Sequence, residues 1–383
     1  MMYLVFVHFP MIHRTFILFG FFTLRAMATF SWSTLPELPD AHGFAGAYAG
    51  VSQDALIVAG GANFPSGLPW EGGAKVWHDR VFVHRADQSG WKEVARLPKA
   101  LGYGVSITTP EGVVCIGGSH AAGHEAGVFR LRWDGSNVEI DDLPPLPVAL
   151  ANMAGAVVGG RIHVIGGSTS PEAVAASNRH FCLEGGVWKE LAPLPAEGRI
   201  LPVAGAKDGA FYVISGAALQ ADATGQPMRT YLRDAWKYEA SGQWKRLADL
   251  PRAAVAAPSP AIDAGASHLF VLGGDDGTLT TFTPKSAHPG FARDVLGYDI
   301  MTDTWTVVET MPQTVFAAVT APVVTWRGSY WVVSGEVRPA VRTASVTGLN
   351  LKPAKSTFGL LNRSVAIVCL AAMIGIGIYF MKR

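Results

Sequence analysis

One short stretch, Ser334-Gly335-Glu336-Val337-Arg338-Pro339-Ala340-Val341-Arg342-Thr343, holds a carboxylate and two guanidiniums together in a single loop. A neighbouring arginine favours the ionised, proton-accepting form of a carboxylate, and a further arginine can grip an acidic ligand through two parallel hydrogen bonds. Glu336 is therefore a candidate base, with Arg338 and Arg342 as candidates for holding it or a ligand. A surface ion pair capping the loop would have the same composition, so both readings stand open on the residues alone. Asp275-Asp276-Gly277 reads as turn chemistry, and Asn63, beside a glycine pair, fits a residue that satisfies backbone groups.

The elements that must position this loop follow from a phrase repeated six times: a Trp, then Leu-Pro or Met-Pro, then an apolar run ending in Gly-Gly or Ser-Gly. The tryptophans are Trp32, Trp91, Trp133, Trp188, Trp244 and Trp305. The closing pairs are Gly60-Gly61, Gly117-Gly118, Gly166-Gly167, Ser215-Gly216, Gly273-Gly274 and Ser334-Gly335. Units of roughly fifty residues, each with short runs rich in Val, Ile, Tyr and Phe, predict four-stranded sheets arranged as a six-bladed β-propeller, an all-β fold. The phase of the repeat predicts the closure. A lone strand over Ser31–Thr34 precedes the first Leu-Pro, while the sixth unit ends on a strand over Thr343–Leu351 and lacks its fourth. The N-terminal strand is expected to fill that place, which leaves no sheet edge open at the seam. The propeller is placed at 29–352.

In an antiparallel blade, the residues just after Leu-Pro and just after Gly-Gly fall at the same end. Loops from every blade converge there, and such mouths take small molecules. The post-glycine positions are Asn63, His120, Asp275, Asp276 and Glu336; the post-proline positions are His42, Tyr103, Asn152 and Arg199.

Composition excludes some classes. The formal net charge is +1, which provides no basic field for nucleic acid. Cys115, Cys182 and Cys369 lack metal-ligand spacing; Cys115 reads as a buried strand residue, and whether it pairs with Cys182 is left open. The two ends predict membrane traffic. Residues 15–24 are apolar behind His13 and Arg14, and Ala26-Met27-Ala28 fits a cleavage site, so 1–28 reads as a signal peptide, or as upstream sequence if Met27 is the true start. After a linker over 353–363, residues 364–381 are nearly all apolar and predict a transmembrane helix, anchoring the propeller on the periplasmic face. With Met27 as start and no insertion of the tail, the protein would be cytoplasmic. Asn362 to Phe380 also resembles the opening helix of sodium:solute symporters, which implies such a transporter as a partner in the same system.

The repeats resemble kelch repeats. The Gly335 to Thr343 stretch is similar to the Gly-Glu-x-(Lys/Arg)-Pro-x-x-Arg-Thr signature of the N-acetylneuraminate epimerases, the sialic acid mutarotases. His42-Gly43-Phe44-Ala45-Gly46 leading to Ala59-Gly60-Gly61-Ala62-Asn63-Phe64, and Gly102-Tyr103-Gly104-Val105-Ser106 leading to Ile116-Gly117-Gly118, resemble the same family. The order of these segments fits its cyclically permuted branch, because the signature loop here is C-terminal to the His42 segment. The resemblance implies interconversion of the α- and β-anomers of N-acetylneuraminate or a related acidic sugar by acid/base ring opening, in support of sialic acid uptake, a reaction that calls for no metal or organic cofactor. It implies Glu336 as proton acceptor and Arg342 for the sugar carboxylate, with Arg199, Tyr103, Arg338, Asn63 and His42 as substrate contacts. An Arg that the better-known members carry two residues before the Tyr is Leu101 here, and Arg229, Arg233 or Arg293, on or beside the long loops Ala217–Arg233 and Asp275–Asp294, are candidates to replace it. The alternative is a non-catalytic sugar-binding or docking propeller tethered to a transporter. The Tyr, His and Cys constellation of copper oxidases on this architecture cannot be assembled.

Overall fold

A computed structural model describes residues 29–265 and 267–352. The signal-like segment, the linker and the predicted transmembrane helix lie outside the described residues, as does the symporter-like stretch. Among the described residues, no helix is long and apolar enough to cross a membrane.

Residues Phe30–Lys352 form one compact unit of six four-stranded antiparallel sheets. Blade 1 is Tyr48–Ser52, Ala55–Ala59, Arg80–His84 and Lys92–Arg96; blades 2 to 5 begin at Val105, Ala151, Val203 and Ile262. Blade 6 contains Val323–Trp326, Ser329–Val333 and Val346–Lys352, and Thr29–Leu35 is its fourth, outermost strand. The closure expected from the phase of the repeat is the closure observed. Adjacent blades bury aliphatic layers between them: Val203, Ile214 and Leu250 meet Leu269, Val271 and Leu296, all fully or nearly fully buried.

Four of the six recurring tryptophans staple the start of an outer strand to the blade before it. The indole N–H of Trp91 donates to Pro36 O, Trp188 to Pro144 O, Trp244 to Ala192 O and Trp305 to Ala248 O, at 2.8, 2.8, 2.9 and 3.0 Å. Each acceptor lies in the chain leaving the previous outer strand, which is why Trp and Leu-Pro recur together. Trp133 departs from this scheme. It ends the third strand of blade 2, opposite Val138 of the outer strand, and is buried.

A second device lies at the axis. Gly46, Tyr103, Asn152, Leu201, Ala256 and Thr320 all have left-handed backbones, with φ between 50 and 65°. Each N–H donates to the carbonyl of its equivalent in the preceding blade, at 2.7–2.9 Å, and Gly46 donates to Thr320 O at 2.8 Å across the seam. Six backbone bonds thus close a ring, one from each blade. The strain of a positive φ at five non-glycine residues is held by that closed ring and by the pairing next to it.

The glycine pairs explain themselves at the same level. Both residues of each pair have positive φ, and a Cβ on Gly335 would lie 2.7 Å from Val319 O. Where the first glycine is replaced, the serine hydroxyl is put to use. Ser334 Oγ accepts from Phe44 N at 2.8 Å and donates to Thr343 O at 2.5 Å, and Ser215 Oγ likewise joins Ala254 N to Leu232 O.

Candidate active site

The residue after each glycine pair bridges the residue before each ring position. The pairs are Ala45 with Ala62, Gly102 with Ser119, Ala151 with Ser168, Ile200 with Ala217, Val255 with Asp275 and Val319 with Glu336. The two sets of positions read from the repeat therefore do share one face. At these six equivalent places five side chains are Ala, Ser or Asp, and Glu336 is the longest. From the same junctions three two-stranded hairpins rise: Ala62–Asn63 with Val76–Trp77 in blade 1, Ala217–Ala221 with Pro227–Tyr231 in blade 4, and Glu336–Arg338 with Val341–Arg342 in blade 6.

Glu336 and Arg342 are cross-strand partners in the blade 6 hairpin. Arg342 Nη1 lies 2.8 Å from Glu336 Oε2, and Ala340 N donates to Glu336 Oε1 at 3.1 Å. The Glu336 side chain is 19% exposed and that of Arg342 only 3%. Three further contacts hold the guanidinium: Nη2 donates to the Tyr103 hydroxyl at 3.3 Å, Nε to Ala62 O at 3.4 Å, and the Phe64 ring lies 4.8 Å away. The Nη1–Glu336 contact is a charge pair off the hydrogen-bond line, since Nη1 has no aligned acceptor among the described residues.

Burial pushes the Glu336 carboxyl above its ordinary range, while Arg342, the Ala340 N–H, Lys75 and Arg229 pull it back. Burial also raises Tyr103, so its phenol keeps its proton. Lys75 lies beside this group, its ammonium 5.1 Å from the Tyr103 ring centre and 5.4 Å from that of Trp77. Across the mouth the Tyr231 hydroxyl donates to Asp275 Oδ2 at 2.9 Å, and burial followed by Asp275 pushes that phenol up to about 12.

Of the residues singled out in the sequence, the fold brings Glu336, Arg342 and Tyr103 into direct contact. Arg338 reaches the neighbouring blade, donating to Ser286 O at 3.1 Å. Asn63 is 1% exposed and its amide is fully used: Nδ2 donates to Gly43 O and Asp40 Oδ1, and Oδ1 meets His78 Nε2. It clamps the loop before blade 1 and presents nothing to the mouth. Arg199 is 0% exposed and locked in a two-point ion pair with Asp234, both bonds 2.9 Å, with Ser215 O as a further acceptor. Its role is to join blades 3 and 4 in place of contacting substrate. His42 is exposed and enters the turn through its backbone N–H to Asp40. Of the replacement cations, Arg233 and Arg293 are spent on backbone carbonyls, whereas exposed Arg229 acts on Glu336. Cys115 and Cys182 are free and buried.

Lys75 and Phe64 were missed in the sequence. Both lie on the long connection inside blade 1, where the repeat has no phase to assign them. The run Glu71-Gly72-Gly73-Ala74-Lys75 ahead of Val76-Trp77 was the available signal, a cation at the foot of a returning strand.

Six four-stranded blades closed into a ring fit the kelch-type propeller expected from the repeats. The family model for N-acetylneuraminate epimerase matches residues 23–140. That span holds Lys75 and Tyr103 and ends before blade 3, so the Glu336 hairpin lies beyond it. The chain is 36% identical over 126 residues to the N-acetylneuraminate epimerase of Yersinia pestis (strain Pestoides F), covering 29% of this chain and 32% of that protein. It is 35% identical over 127 residues to the protein of that name from Brucella suis, covering 29% and 32%. To that of Vibrio cholerae it is 35% identical over 128 residues, covering 29% and 33%. The chain thus spans about a third of the length of the curated relatives it matches.

Proposed function

We propose that the protein is a mutarotase that interconverts the α- and β-anomers of N-acetylneuraminate or a related acidic sugar. The observation that carries this reading is Glu336, a carboxyl raised by burial yet paired at 2.8 Å with Arg342 at the mouth of the ring. The relatives, each an N-acetylneuraminate epimerase by name, support the same substrate. A carboxyl moved up from its ordinary range gives and takes a proton near neutral pH more readily than one fixed as an anion.

The reaction needs little else. Glu336 accepts the proton of the anomeric hydroxyl as the bond from the anomeric carbon to the ring oxygen breaks and a carbonyl forms. The ring oxygen must gain a proton in the same step. We assign that proton to Tyr103, whose oxygen accepts from Arg342 at 3.3 Å and whose own hydrogen is left to donate; burial raises this phenol, and the Arg342 cation offsets part of that rise. Rotation about the bond next to the carbonyl presents its other face, and the two transfers reverse on closing. Acid/base assistance of this kind contributes roughly 10²–10⁴-fold. The cavity inside the axial ring, about 70 Å³ and lined by Tyr103, Asn152, Leu201, Ala256 and Thr320 among others, is smaller than a nine-carbon sugar. The sugar would therefore sit above the ring, among the hairpins.

The test is the anomeric NMR signal of N-acetylneuraminate freshly released as the α-anomer. Wild-type protein is expected to bring the anomers to equilibrium faster than buffer at the same pH. Binding without acceleration would give the mouth to the non-catalytic alternative, and equilibration at the buffer rate would overturn the enzyme reading.

A further inference from the structure

We propose that Lys75 takes the carboxylate of the substrate, a task for which Arg342 lies too deep. The proposal rests on the reading of the mouth as an acidic-sugar site and adds the residue that selects for the acid. Arg342 is only 3% exposed, and its guanidinium is held by Glu336, Tyr103, Ala62 O and the Phe64 ring. A ligand carboxylate would have to displace one of these to reach it. Arg342 instead has the geometry of a positioning residue for Glu336 and Tyr103.

Lys75 has the complementary properties. The residue as a whole is exposed, while its ammonium is drawn in over the rings of Tyr103 and Trp77, where it is partly desolvated. Cation–π contacts hold an ammonium in place without neutralising it. Among the described residues no carboxylate lies in ion-pair contact with it, and Glu336 is the one acid acting on it, from a distance. Its address is set by the backbone. Lys75 leads directly into Val76–Trp77, which pairs with Ala62–Asn63, and Ala62 O is the carbonyl that accepts from Arg342 Nε. The ammonium is thus delivered to the rim above Tyr103, beside the proposed proton donor.

The local charge count points the same way. Arg342, Lys75 and Arg229 all act on the single carboxylate of Glu336, which leaves cations in excess before any ligand arrives. Burial and the repulsion of Arg342 disfavour the charged form of Lys75, and an incoming anion relieves that repulsion. Arg229 is less free, because it also acts on the Tyr231 hydroxyl. A sugar with its carboxylate over Tyr103 would place the adjacent anomeric centre toward the Tyr103 and Glu336 groups.

The experiment compares binding of N-acetylneuraminate and of its C1 methyl ester, which removes the charge and keeps the ring, by NMR titration of wild type, Lys75→Met and Lys75→Arg. A charge-assisted contact implies a wild-type preference for the acid of about tenfold to a hundredfold. Lys75→Met is expected to bring that ratio close to one, and Lys75→Arg to retain most of it. Unchanged preference in Lys75→Met, or equal or absent binding of both sugars by wild type, overturns the proposal. A preference lost with Lys75, in a protein that does not speed anomer exchange, would uphold Lys75 and overturn the mutarotase reading alone.

Discussion

Glu336 sits between two opposed influences, burial that raises its pKa and Arg342 that lowers it. That balance has a consequence for activity. Removing the cation in Arg342→Met leaves burial unopposed by its strongest counterweight, so the carboxyl rises further and is ionised only at higher pH. The acidic limb of kcat/KM against pH is therefore expected to move upward, with the rate falling most on the acidic side. An unmoved limb would show that Arg342 does not set the state of Glu336. The pair was legible in the sequence because its two members lie in one short loop, close enough for chain proximity to stand in for space. Asn63 and Arg199 were not legible in this way. Their types and repeat positions resemble those of site residues, but His78, Asp40 and Asp234, distant in the chain, consume every polar atom that a substrate would need.

The strands of blade 3 bring together two histidines that the repeat gives no reason to notice. His163 Nδ1 and His180 Nε2 are 2.9 Å apart, and both rings stack against Phe211 of blade 4 at 5.3 Å. Burial pulls His163 down to about 4 and, with the charge of His163, His180 down to about 3. In the unfolded chain both titrate near 6.5. Their folded values are depressed, so the unfolded chain binds more protons between about pH 6.5 and 4, and stability falls as pH falls through that window. The urea midpoint is expected to be lower at pH 5 than at pH 7.5, with a loss on the order of a few kcal/mol shared by the pair. A His163→Phe/His180→Phe variant should flatten the dependence, and equal midpoints for wild type would contradict the assignment. At this scale the blades were readable from Trp, Leu-Pro and Gly-Gly. The hairpins at the mouth were not, because they arise inside irregular connections without apolar alternation. Trp133 carries the same signal yet ends a third strand, because a Trp at this spacing can fall at the end of the third strand as well as at the start of the fourth.

Phe30–Lys352 form a ring in which six equivalent junctions have been made unequal. Strands Thr29–Leu35 and Val346–Lys352 close it at the rim, and the bond from Gly46 N to Thr320 O closes it at the axis. Closure at both radii holds blades 6, 1 and 2 in fixed order, so that Glu336 and Arg342 from one, Lys75 from the next and Tyr103 from the third meet over a single narrow channel. Of the six residues that directly follow the closing pairs, five are Ala, Ser or Asp, and the sixth, Glu336, carries the carboxylate to which the chemistry is assigned. The most direct test is therefore the rate of anomer exchange of N-acetylneuraminate by NMR for Glu336→Gln beside wild type, both first shown to be folded. Gln keeps the shape and loses the proton-accepting oxygen, so the enzymatic excess over buffer should fall by about 10²-fold or more. A variant as fast as wild type would contradict the central role of Glu336.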